Sequence, residues 1–244
     1  KLVLGPGSYV FDNDVIIPKN TTLIIQPGTH SVFIRGVSLV SYSPIIATGT
    51  KENPITFMRA NSKDHWGVVG IAGAGARESY FSYATFDGGS SSAETNGIVF
   101  SGMLSAHMSD IKITNSKFTN DGDDDALNIK YSKGSVAYSL FANNNGDAID
   151  IDAGDVLIDS NTFTNNGYGI VPGHNTIGDS IDVSFNHSVI ENNIITNCGD
   201  KGISVGENSS PQMLHNIIVH CDYGIAVKDN SSAYLKGDIL LNNK

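Results

Sequence analysis

The strongest constraint on this chain is a repeat. From Phe118, apolar anchors follow at Phe141, Phe163, Ile195, Ile218 and Leu240, at intervals of 23, 22, 32, 23 and 22 residues. Five positions before each anchor lies a second apolar residue: Ile113, Val136, Ile158, Ile190, Met213 and Leu235. Further along each unit come Leu127, Ile149, Ile181, Ile203 and Ile225, each followed two residues later by Ile129, Ile151, Val183, Val205 and Val227. Apolar residues two apart mark strands with one buried face. A unit of about 22 residues cannot bury that face alone, but stacked copies can. The pattern predicts an all-β solenoid with about 22–23 residues per coil. Residues 101–244 supply the regular coils, residues 1–100 supply less regular N-terminal ones, and 1–244 reads as one domain.

A polar column keeps the same register. Two positions after each anchor stand Asn120, Asn143, Asn165, Asn197, His220 and Asn242. One amide per coil, at a turn, predicts an asparagine ladder. The 32-residue interval predicts an insertion between Phe163 and Ile195, and "YGIVPGHNTI", Tyr168 to Ile177, is its natural site. Insertions in solenoids gather on the working face. The chain begins at Lys1 and stops at Lys244 within a coil that lacks a polar cap. It therefore reads as a piece of a longer protein, with its C-terminal end covered by a further domain or a partner.

These coils are similar to those of the right-handed parallel β-helix superfamily, the fold of pectate lyases and related polysaccharide enzymes. The N-terminal segments "GPGSYVFDNDVIIPKNTTLIIQPGTH", "GTKENPITFMR", "HWGVVGI" and "FSYATFDGG" resemble extracellular β-helix repeat proteins. The resemblance implies a single-stranded right-handed parallel β-helix and a secreted or cell-surface location. It does not select a function, because this fold hosts lyases, hydrolases, epimerases, adhesins and structural stalks.

Charge narrows the choice. The chain has 15 Lys and Arg against 25 Asp and Glu, a net charge of −10. No basic run exists to neutralise phosphates, so nucleic acid is excluded as a partner. An acidic polysaccharide is repelled too, unless a cation bridges the contact. No apolar run of about 18 residues is present, so no membrane span is expected.

Aligning the units on their apolar columns yields three polar ones. The leading column reads Asp125, Asp147, Asp179, Asp200 and Asp222. The next two, read as outward-facing, are Asn128, Asp150, Asp182, Ser204, Ala226 and Lys130, Asp152, Ser184, Gly206, Lys228. Strands stack about 4.8 Å apart, so Asp150 and Asp182 become neighbours with Asp152 and Lys130 alongside. Two readings stand. Asp at a turn before a strand bonds nearby backbone N–H groups, which accounts for the leading column without metal. Asp150, Asp152 and Asp182 lie mid-strand, where facing like charges destabilise, and such a group asks for Ca²⁺.

The pectate-lyase resemblance extends to "DDALN", similar to an Asp-Asp-x-x-Asp calcium run with Asn128 in place of the last Asp. It implies Ca²⁺ ligands among Asp124, Asp125, Asn128, Asp147, Asp150, Asp152 and Asp182, with Lys130 or Lys133 as base. Separately, "YGIVPGH" resembles the Tyr-Gly-Phe-Asp-Pro-His motif of alginate C5-epimerases, without its Asp. That implies Tyr168 and His174 as proton-transfer groups; a Pro-Gly turn with an exposed His is the plainer alternative. Cys198 and Cys221 share one column, and two stacked thiols are expected there over a disulfide, because aligned Cβ vectors strain the bond. Trp66 is expected in the core. Tyr80 and Tyr83 stand at a boundary, where exposed aromatics can stack on sugars. The expected function is binding of an acidic polysaccharide with Ca²⁺, with cleavage or epimerisation as its catalytic form. The alternative is a non-catalytic spacer, adhesin or carbohydrate-binding module of a larger protein.

Overall fold

The structure is a computed structural model that describes residues 1–90, 92–169 and 177–244. Each coil contributes short strands, and the strands of the three faces pair in parallel with their counterparts one coil on. The first face is a ten-stranded sheet in strict chain order, from Leu2–Leu4 to Tyr234–Lys236. The second runs from Gly7–Phe11 to Ile239–Leu241. The third begins at Val15–Ile17 and passes through Gly102–His107, Asp125–Lys130, Asp147–Asp152 and Ile181–Ser184. It ends in the long strands Ile194–Gly206 and Ile217–Val227, which turn from the second face onto the third. The architecture is the right-handed parallel β-helix that the repeat and the resemblance implied.

The sequence columns are the observed register. Phe118 pairs with Phe141, Phe141 with Phe163, Phe163 with Ile195, Ile195 with Ile218 and Ile218 with Leu240. Upstream, Phe57 pairs with Phe86 and Phe86 with Phe118, so the aromatic column enters the less regular coils. Its rings stack face to face, with centroids 4.6, 4.8, 4.7 and 5.0 Å apart from Phe57 to Phe163. Trp66 is fully buried, stacks on Phe33 and donates its indole N–H to the Asp87 carbonyl at 2.8 Å.

Two local expectations need correction. The ladder is displaced by one residue. Asn120, Asn143, Asn165, Asn197, His220 and Asn242 all adopt positive φ, which Asn tolerates better than most residues. Side-chain contacts along that column are sparse and exposed, as between Asn165 and Asn143 at 3.3 Å. The buried ladder uses the following residues: Asn144 donates to Asn166 Oδ1 at 2.9 Å and to the Phe118 carbonyl at 3.2 Å. A second buried ladder links Asn161, Asn193, Asn216 and Asp238. The left-handed residue turns its side chain outward, so the next one carries the amide into the stack. The second correction concerns Cys198 and Cys221. They occupy that inner column and form a disulfide, with Cα atoms 4.4 Å apart; the coil spacing itself brings the pair within bonding range.

One element escaped the repeat. Strands Ala93–Thr95 and Ile98–Phe100 form an antiparallel hairpin. Phe100 packs with Val40, Val68 and Ala72 in a small second core on the outer side of the third face. Gly70 lets the ring pack closely, since a Cβ there would lie 3.1 Å from it. The hairpin covers the upstream part of the third face.

Candidate functional site

The acidic columns meet on the third face, downstream of the hairpin. Asn128 pairs with Asp150 and Lys130 with Asp152. Asp150 pairs with Asp182 and Asp152 with Ser184. Inward Leu127, Ile129, Ile149 and Ile151 are completely buried and fix this register, because a one-residue slip would turn every side chain over.

The middle column is less open than expected. Asn128 and Ser204 are 3% and 0% exposed, and Asp150 and Asp182 are half-buried. Asn128 Nδ2 donates to Asp150 Oδ2 at 2.7 Å. Asp182 Oδ1 is buried and makes no hydrogen bond of ordinary length. Burial first, then the charges of Asp152 and Asp182, push the Asp150 carboxyl well above the usual carboxylate range. Burial also raises Asp182, against the Ser204 hydroxyl beside it. Asp124 is raised by burial and then by Asp123.

Lys130 lies 2.8 Å from Asp152 Oδ2. Burial pulls the ammonium pKa down, but the hydrogen bond and charge of Asp152, with Asp150 and Asp125, outweigh it and raise the pKa. A base working at neutral pH needs the opposite shift. Tyr168 is exposed at the root of the insertion, after the strand Thr162–Asn166. His174 and residues 170–176 around it lie outside the described residues.

The leading column ties coils together. Asp147 Oδ1 accepts the Asp179 N–H at 2.5 Å, and Asp179 Oδ1 accepts the Lys201 N–H at 2.9 Å. Lys201 also bridges Asp179 and Asp200, and Lys244 lies 2.7 Å from Asp222. Buried Asp125 accepts the Ser101 hydroxyl at 2.6 Å, just after the hairpin. Burial drives both Asp125 and Asp147 well upward; neighbouring carboxylates, led by Asp150 for Asp125 and Asp179 for Asp147, add to it. Among the described residues, no three His, Cys, Asp or Glu side chains are gathered into a ready-made metal ligand set.

Sequence reasoning missed two features here. Asp121 is 1% exposed and receives the backbone N–H of Asn145 at 2.7 and 2.9 Å on its two oxygens. Burial pushes its pKa up to about 7, against those hydrogen bonds. The second is an aromatic column beside the Lys130–Asp152 pair. Met108, Tyr131, Ala153 and Phe185 follow the third-face strands at positive φ, and Tyr131 and Phe185 are more than half exposed.

No helix among the described residues is long and apolar enough to cross a membrane. No curated protein sequence matches the chain. Among solved structures, it is similar to the alginate lyase of Paenibacillus sp. str. FPU-7, at 14% identity over 88% of this chain and 91% of that one, with a TM-score of 0.43. It is also similar to the Aspergillus niger pectin methylesterase, at 10% identity over 98% and 75% of the two chains and a TM-score of 0.49. The A-module of an Azotobacter vinelandii mannuronan C-5 epimerase gives 11% identity over 99% and 85%, also with a TM-score of 0.49. The family model described as the right handed beta helix region matches residues 101–244, the stretch whose columns pair in register. The chain belongs to the right-handed β-helix family.

Proposed function

We propose that this protein is a carbohydrate-binding β-helix of the cell exterior that holds an acidic polysaccharide on its third face through Ca²⁺. One observation carries the reading: Asp150 and Asp182 stand opposite each other on adjacent strands, and buried Asp182 Oδ1 makes no hydrogen bond of ordinary length, with the Ser204 hydroxyl and the Val183 N–H acting on its carboxyl. Facing like charges destabilise a strand pair, and an unsatisfied buried acceptor costs about 1–3 kcal/mol. A hard divalent cation answers both, since Ca²⁺ takes oxygen ligands from flexible sites. Asp150, Asp182 and the amide oxygen of Asn128 are the donors that fit it, with Asp152 alongside. The bound cation supplies the positive charge that a uronate carboxylate needs on a protein of net charge −10.

Two further observations support a carbohydrate on the outside of a cell. Exposed Tyr131 and Phe185 offer flat apolar surfaces next to the acidic strip, suited to sugar rings. The Cys198–Cys221 disulfide fits an oxidising compartment. The Lys130–Asp152 ion pair favours binding over β-elimination, because it holds the ammonium protonated. One observation favours a second, hydrolytic reading: burial raises the Asp150 carboxyl well above the usual range, two residues from Asp152, which pairs with Lys130 at 2.8 Å. A carboxyl with a raised pKa near a second carboxylate is the pattern glycoside hydrolysis uses.

Calcium titration by calorimetry tests the proposal, with thermal unfolding followed in Ca²⁺ and in EDTA. We expect saturable heat and a stabilisation of about 2.7 kcal/mol at a hundredfold excess over Kd, both lost in Asp182→Asn. Ca²⁺ should then add a component to polygalacturonate binding, and Asp182→Asn should remove that component. Absence of heat and of any shift in Tm would remove the cation from the reading. Release of reducing ends from a polysaccharide panel, abolished in Asp150→Asn, would favour hydrolysis.

A further inference from the structure

A groove of about 810 Å³ runs along the corner between the first and second faces, away from the acidic strip. It crosses five successive coils, from Thr50 to Thr162. Four stacking intervals make it about 19 Å long. One wall is the turn column Tyr83, Asn115, Tyr138 and Ser160, all at positive φ. The other is the outward strand column Thr85, Lys117, Leu140 and Thr162, which pair in that order. Lys51 closes one end.

Two features mark this groove. The first is charge. The chain has ten more acids than bases, yet among the described residues Lys51 and Lys117 are the charged ones that line it. Asp159 Oδ1, outside the lining, accepts the Ser160 hydroxyl at 2.8 Å. The second is backbone cost. A left-handed φ suits Asn or Gly and penalises a bulky side chain. The same column holds Asn115, Ser160, Asn192, His215 and Gly237, and within the groove Tyr83 and Tyr138 are its bulky members, at φ 47° and 54°. Tyr138 is 63% exposed and Tyr83 is half-buried, so core packing does not explain the Tyr138 side chain. Strain retained at an exposed position points to function. The two tyrosines stand two coils apart, about 10 Å, close to one disaccharide repeat, so they meet the first and third rings of an oligosaccharide.

We infer that this corner groove is a second, cation-independent binding site for an anionic oligosaccharide, whose ring faces stack on Tyr83 and Tyr138 and whose acid groups meet Lys51 and Lys117. Thr85 and Thr162 supply hydroxyl partners for the sugar. The inference does not rest on the third-face reading, because it needs neither Ca²⁺ nor the aspartates.

The test is calorimetry in EDTA, which silences any calcium-dependent site. The probes are a galacturonate hexamer and a sulfated hexasaccharide, which distinguish carboxylate from sulfate as the charged group. The fully methyl-esterified galacturonate hexamer is the uncharged control. Saturable binding of at least one acidic probe is expected, weakened about tenfold or more by Lys51→Gln with Lys117→Gln. Tyr83→Asn with Tyr138→Asn should weaken it as much, with Tm unchanged or raised, since Asn is the column's own residue. The esterified control should bind more weakly than the acid. Binding of neither acidic probe, or binding that survives both pairs of substitutions, would overturn the inference.

Discussion

Phe141→Ala is expected to lower the free energy of unfolding by about 3–5 kcal/mol, the range for deleting a buried aromatic side chain. The ring is completely buried between Phe118 and Phe163, with centroids 4.7 and 5.0 Å away, so truncation opens a gap in a continuous stack. Neighbouring coils are held at the strand spacing by backbone pairing and cannot close in to fill it. In a solenoid each coil touches only its neighbours, so the damage is local and uncouples the coils on either side. Urea unfolding followed by circular dichroism should show a lower midpoint and a broadened or two-step transition. A midpoint close to wild type would mean that backbone ladders, not the aromatic column, carry this region.

That column was legible because stacking demands the same residue class at the same place in every coil. The acidic strip was legible for the same reason: once Leu127, Ile149 and Ile181 fix the register, Asn128, Asp150 and Asp182 must be neighbours. What a column does not announce is how deep it lies. Asn128 and Ser204 are buried, and the hairpin 93–100 that shields the upstream strands comes from a segment without the repeat. The tyrosines at 83, 131 and 138 were hard to place because bulky residues at left-handed positions run against the turn chemistry that makes Asn and Gly readable. Cys198 and Cys221 were placed in the right column, but column position alone does not decide whether two thiols bond.

The substitution Asp121→Asn should stabilise the protein by an amount that grows with pH. Asp121 is buried in the inner column, and burial raises its pKa from 3.8 to about 7. Below pH 3.8 the folded and unfolded states both hold the proton, so the residue contributes no pH dependence. Between 3.8 and 7 the unfolded state releases it while the folded state keeps it, and stability falls as pH rises. Above 7 the loss is complete, about 4 kcal/mol at 1.36 kcal/mol per pH unit. Asn keeps an acceptor for the Asn145 N–H and removes the charge, and Asn144 and Asn166 show that the inner column accommodates the amide. The gain in Tm of Asp121→Asn over wild type should therefore be small at pH 4, grow through pH 6 and level off above 7. The same gain at every pH would assign the effect to packing. A loss at pH 8 would mean that the ionised carboxylate, held by the Asn145 and Gly146 amides, is the form the fold selects.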